Sequence, residues 1–130
     1  MALASPEDLP RAFALTWGAR DALGLADMFA PDAEFLSLTG GSAEGRDEIA
    51  ELFAGELAGA FARARLVTGK TRLRPIVPEV VVMSQRFVLS GIVRADGTDA
   101  GRIGAILCAT LAHTAEGWLI VAAQFVVEAS

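Results

Sequence analysis

Apart from sixteen aspartates and glutamates, few residues in this chain are of a type that can do acid–base, nucleophilic or metal chemistry. There is one histidine, His113, one cysteine, Cys108, one lysine, Lys70, and no tyrosine. That count excludes a disulfide framework and a Cys/His zinc centre, so metal chemistry would have to rest on carboxylates alone. His113 stands beside a turn at the end of an apolar run and reads as a partly exposed structural histidine, with a role as an acid or base as the alternative. Asp32 follows Pro31 and reads as the cap of a turn, and Arg46 opens a helix, where a structural ion pair is the plain reading and a grip on an acidic ligand the sharper one. Arg63, Arg65, Lys70, Arg72 and Arg74 form a basic series on a strand-like segment. With a net charge of -5 and a pI near 4.8, the series reads as a solvated strand face, and both nucleic acid and anionic membrane are excluded as partners.

The elements that must position these residues are read from periodicity. Ser5-Pro6-Glu7-Asp8 has the composition of a helix start, and Leu9, Phe13 and Trp17 then recur at helical spacing along one stripe. A shorter helix begins near Asp21 and gathers Leu25, Met28 and Phe29. Pro31-Asp32 turns the chain into an alternating strand, residues 33–39. From Gly45 to about Phe61 a third helix places Ile49, Leu52, Phe53, Leu57, Ala60 and Phe61 on its apolar side, with Asp47, Glu48 and Glu51 largely opposite. Four strands follow, over residues 66–76, 80–93, 102–113 and 118–128, joined by short turns, so they form an antiparallel meander. Helices first and a sheet afterwards make an α+β domain in which three amphipathic stripes cover one sheet face.

At 130 residues, 53% of them hydrophobic, the chain forms one domain spanning residues 1–130, large enough to bury a core without staples. The N-terminus has no basic stretch before an apolar run, so the expected location is cytoplasmic, and no apolar segment is long enough for a membrane span.

The order of elements, together with Phe13 and Trp17 separated by three residues, residues 27–35 (Asp-Met-Phe-Ala-Pro-Asp-Ala-Glu-Phe), Gly45-Arg46 before Ile49, and Gly117-Trp118-Leu119-Ile120, resembles the nuclear-transport-factor-2-like superfamily. Within it the chain looks closest to small bacterial SnoaL-like members of natural-product pathways. The resemblance implies a cone: a curved antiparallel sheet wrapped around three helices, enclosing an apolar cavity. In the ketosteroid-isomerase branch a tyrosine donor, a carboxylate base and a second acid donor face that cavity. Here the matching positions hold Phe13, Ser37 and Ala109, so enolate-type isomerisation is not expected.

With the cone as a frame, strand alternation sends Phe35, Ser37 and Thr39 inward, then Met83, Gln85, Phe87 and Leu89, then Ala105, Leu107 and Ala109, then Ala122, Gln124 and Val126. Phe13, Trp17 and Met28 come from the helices. The expected ligand pocket is therefore Phe13, Trp17, Met28, Phe35, Ser37, Gln85, Phe87, Leu107, Ala109, Ala122, Gln124 and Val126, apolar apart from Ser37, Gln85 and Gln124, with no cofactor and no metal. The outward set of Val80, Val82, Val88, Ile106, Cys108, Thr110, Val121, Ala123, Phe125 and Val127 is too apolar to face water, which asks for a homodimer through the outer face of the sheet. Three functions are consistent with this reading. The first is binding of a small apolar or aromatic molecule, or an accessory role in secondary metabolism. The second is an isomerase, cyclase or dehydratase using Asp32 or His113, and the third is an assembly module whose cavity is filled by its own side chains.

Overall fold

Ser5 and Pro6 do begin the first helical segment in the structure, a computed structural model that describes residues 2–128. A single 3-10 turn, Pro6–Asp8, leads into α1 (Leu9–Gly18), whose buried residues are the Leu9, Phe13 and Trp17 stripe. Asp21 caps α2 (Ala22–Ala26) by accepting a hydrogen bond from the Gly24 N–H at 2.9 Å. Between these helices Arg20 takes a left-handed conformation (φ 60°) that ends α1. Its guanidinium stacks on Trp17 and donates to the carbonyls of Trp17, Ala62 and Ala64, which ties the segment after α3 to the end of α1.

The first strand differs from expectation. β1 is Phe29–Leu36, so Pro31 and Asp32 lie within it rather than before it. Proline is tolerated there because the pairing of β1 is irregular between Phe29 and Glu34, where its missing N–H breaks no ladder bond. A short strand, β2 (Ser42–Glu44), escapes sequence reading because three residues carry no alternation signal; it pairs antiparallel with β1. The third helix, α3, is Arg46–Ala58.

The meander follows as β3 (Arg65–Val77), β4 (Val80–Ser90), β5 (Ile103–Thr114) and β6 (Gly117–Val127). These complete one six-stranded sheet of order β2-β1-β6-β5-β4-β3. All its pairings are antiparallel except that of β1 with β6, which is parallel. The helices lie against one face, and a single apolar core joins them to the sheet. The fold class is thus the α+β roll expected. β4 alternates as read, with Met83, Gln85, Phe87 and Leu89 all buried.

The last strand does not alternate as read. Thr110 pairs with Ala122 but Leu111 with Ile120, so Val121 is an extra residue, a bulge. A bulge inverts which residues face the core beyond it. Ile120 lies on the inner face with Leu111, and past the bulge it is Ala123 and Phe125 that join Ala109 and Leu107 there. Ala122, Gln124 and Val126, expected inside, stand on the outer face, half-buried or exposed.

Candidate functional site

The interior of the cone is filled by aromatic rings from α1, β1, α3, β4 and β6. Phe13 of α1 lies 5.6 Å, centroid to centroid, from Phe87 of β4 and 6.1 Å from both Phe53 of α3 and Phe125 of β6. Phe35 of β1 stacks on Phe53 at 4.9 Å and meets Phe29 edge-on at 5.4 Å. Six of the chain's seven phenylalanines are joined in this way; the seventh, Phe61, pairs with Trp17. Ring pairs at these separations contribute about 0.5–1.5 kcal/mol each beyond their burial, so the cluster itself favours a closed interior. Of the expected pocket residues, the structure brings together Phe13, Phe35 and Phe87 around one centre. Leu107 and Ala109 are buried on the inner face of β5. Met28 is buried at the end of α2, where its carbonyl accepts from the Ile120 N–H at 2.9 Å. Trp17 belongs to the separate contact with Phe61 and Arg20.

Of the three expected polar groups, Ser37 and Gln85 have protein partners, while Gln124 is exposed on the outer face. Gln85 is fully buried, accepts from the Thr71 hydroxyl, and donates to the carbonyls of Gly69 (3.2 Å) and Arg86 (2.9 Å). It thereby holds the irregular stretch of β3 between Thr68 and Thr71 onto β4. Ser37 accepts from the Gly41 N–H at 3.0 Å and lies 3.1 Å from the Thr39 hydroxyl, which donates to Glu56 at 2.5 Å. Glu56 is buried with this Ser–Thr–Glu chain at the tip of the β1–β2 hairpin. Sequence reading passed over it, although the signal was there: residues 49, 52, 53, 56 and 57 share one helical stripe, and a glutamate on an apolar stripe must be buried with a donor.

The remaining candidates are structural or exposed. His113 is exposed and stacks on Trp118 at 5.0 Å. Asp32 is exposed on β1. Arg46 donates through Nε to the Phe29 carbonyl at 2.9 Å, a main-chain tie in place of the expected ion pair. Arg63, Arg65, Lys70, Arg72 and Arg74 are exposed along the free edge strand and the turn before it. Among the described residues no three His, Cys, Asp or Glu side chains converge as metal ligands.

The outer face of the sheet is the second candidate surface. It carries a groove of about 360 Å³ over β1, β6, β5 and β4, floored by Val82, Cys108, Thr110, Ala122 and Gln124 and flanked by Glu34 and Glu44. Beside it, Arg86 of β4 reaches across β5 to hold Glu128 in a two-pronged ion pair, with contacts at 2.9 Å. This bond holds the Glu128 carboxyl below the usual glutamate range and raises Arg86. The pair can cross β5 because residue 104 is glycine: a Cβ there would lie 2.4 Å from the Glu128 Oε1.

Comparison with known proteins gives a consistent fold. The model of the SnoaL-like domain matches residues 8–124. An uncharacterised cystatin-like protein from Caulobacter vibrioides is 19% identical, with 95% of this chain and 87% of that one superposed at a TM-score of 0.86. A type 2 hexachlorocyclohexane dehydrochlorinase (LinA) is 15% identical over 95% of this chain and 82% of its own, with a TM-score of 0.83. An NTF2-like protein from Novosphingobium aromaticivorans is 20% identical over 92% of this chain and 77% of its own, with a TM-score of 0.75. No curated protein matches the sequence. No helix among the described residues is long and apolar enough to cross a membrane.

Proposed function

Since the chain belongs to the SnoaL-like domain family, and since its cone is occupied by its own side chains, we propose that it is an assembly module that pairs as a homodimer through the outer face of its sheet rather than an enzyme of isomerase type. The observation that carries this reading is the closed ring cluster around Phe13. Admitting a flat apolar molecule would require several of these rings to move, and each buried Phe side chain contributes about 1.5–3 kcal/mol through its burial. The isomerase-type positions add nothing that could take a carbon-bound proton. Phe13 and Ala109 have no titratable atom, and the Ser37 hydroxyl is engaged by Gly41 and Thr39. Light scattering on purified protein is expected to give the mass of a dimer, and a panel of hydrophobic ligands to leave Tm unmoved. A shift that grows with ligand concentration would overturn the reading in favour of binding.

One observation favours a second reading. The Glu56–Thr39–Ser37 chain is the place where a buried carboxylate meets hydroxyls, that of Thr39 exposed and that of Ser37 buried, and relatives of this shape include a dehydrochlorinase. On that reading a small substrate is taken near the hairpin tip with Glu56 as the base. Dehydrochlorination or isomerisation that disappears in a folded Glu56→Gln variant would select it.

A further inference from the structure

β3 is the last strand of the sheet, so one whole side of its backbone faces no other strand. At Arg65–Val77 it is also long, where exposed edges are usually kept short. Its pairing with β4 is regular over residues 65–68 and again over 71–75, with an irregularity between. The register fixes what stands on each side of it. Arg72 and Arg74 pair with Ser84 and Val82 and point to the outer face, whereas Thr71 and Leu73 pair with the buried Gln85 and Met83 and point to the inner one. Arg65, Lys70, Arg72 and Arg74 are exposed, and among the described residues none of their side chains has an ion pair or hydrogen bond. Arg86, their neighbour on β4, differs: its guanidinium is already held by Glu128.

Under the same edge, on the inner side, a groove of about 480 Å³ runs between β3 and α1, lined by Pro10, Arg11, Ala14, Leu15, Thr68 and Thr71. Leu15 is the large apolar residue that α1 leaves out of the core, 64% exposed. Glu7 also lines the groove and offsets Arg11, so the floor carries no excess of either charge. A free backbone edge thus has cations above it and an apolar shelf below.

From this juxtaposition we infer that the β3 edge docks an extended segment of another protein, one in which acidic and apolar residues alternate. The segment adds to the sheet as a further strand, held by main-chain hydrogen bonds to β3. Because side chains alternate along a strand, the residues opposite Arg72 and Arg74 stand on the outer face beside the guanidinium groups, and those opposite Thr71 and Leu73 turn down toward Leu15. Carboxylates suit the first set and apolar side chains the second, whichever way the segment runs.

Charge decides against a second copy of the chain as the occupant. Two β3 strands paired antiparallel about Leu73 would set Arg72 of each copy against Arg74 of the other, a destabilising like-charge pair. The β2 edge of another copy, Ser42–Glu44, is too short to supply more than a few hydrogen bonds. Since the β3 edge points sideways out of the sheet, the site is independent of whether the outer face is covered.

The probe is a fluorescein-labelled, capped peptide of about eight residues alternating glutamate and valine, long enough to cover an ordinary strand. Fluorescence anisotropy is expected to show saturable binding that weakens with salt, and hydrogen exchange to show new protection at residues 71–74. N-methylation of the peptide main chain removes its donors and keeps its charge, and is expected to weaken binding roughly tenfold or more. Lysine in place of glutamate is expected to do the same. The variant Arg72→Glu/Arg74→Glu, confirmed as folded by circular dichroism, is expected to lose the glutamate peptide and accept the lysine one; if it is unfolded, Arg72→Gln/Arg74→Gln, expected to weaken binding and remove its salt dependence, takes its place. Leu15→Asp is expected to weaken the glutamate peptide without altering the fold. No saturable binding would overturn the inference, since the cations would then only guard the edge. Binding that survives N-methylation, or that the arginine and Leu15 variants leave unchanged, would overturn it in favour of unspecific attraction of a polyanion. Protein alone that grows beyond two copies with concentration would mean that the edge joins copies of this chain, and would also overturn it.

Discussion

Phe13 is the residue on which the functional reading turns. In the isomerase branch its position carries a hydroxyl aimed at a ligand; here the ring is fully buried among Phe53, Phe87 and Phe125. Adding that hydroxyl back therefore buries a polar group. Phe13→Tyr is expected to lower stability by about 1–3 kcal/mol, read as a shift in the urea midpoint at unchanged slope. Equal or greater stability, accompanied by a new response to aromatic ligands, would mean that the cone has room for both. Gln85 carries the complementary lesson. A buried amide on an inward strand position needs partners, but whether they come from protein or ligand is a three-dimensional matter. Here the irregular stretch of β3 supplies them, from Thr71 and the Gly69 carbonyl.

At the scale of elements, the bulge at Val121 decides which half of β6 belongs to the core. Removing that residue would leave an unbroken ladder in which Ile120, Ala123 and Phe125 still face inward and Gln124 and Val126 outward. A Val121 deletion is therefore expected to keep a cooperative unfolding transition with Phe125 in the aromatic cluster, measured by near-ultraviolet dichroism on heating; loss of that transition would mean that the local twist of the bulge is itself required. The end of β6 is tied to β4 by Arg86 and Glu128. Because the folded pKa of Glu128 is depressed, the pair's stabilisation is present above the ordinary glutamate pKa and is lost as pH falls through the lower folded value. Arg86→Gln is therefore expected to be less stable than wild type near neutrality and equal to it in strong acid. Both groups are partly exposed, so the difference is expected to be small and to shrink with salt. A difference that persists in acid would assign it to packing of the arginine stem.

For the whole molecule, the distribution of charge matters more than its total. The net charge of -5 is spread unevenly: the free β3 edge is basic and the β2 edge acidic. That polarity runs across a face whose middle is weakly polar and crossed at one end by the Arg86–Glu128 pair, and a second copy of the same face is the complement proposed for it. Ala122→Arg places a long cation at the middle of that face. It is expected to give a folded monomer, by light scattering together with an unchanged melting curve. A dimer that survives this change would move the interface to another surface.

Much of the architecture was legible because it depends on patterns that are local. The Leu9, Phe13, Trp17 stripe and the alternation of β4 each follow from residue type and spacing, since helix and strand periods oblige certain side chains to be buried. What the sequence could not carry was register. One bulged residue in β6 exchanged Ala122, Gln124 and Val126 for Ala123 and Phe125 on the inner face, and so replaced two polar or open pocket positions with a ring that closes the cone. The parallel pairing of β1 with β6, the burial of Glu56 beneath Thr39, and the placing of basic and acidic residues on opposite sheet edges depend likewise on partners distant in the chain. Those contacts are chosen by tertiary packing, because a strand's period says which residues share a face but not which face meets the core.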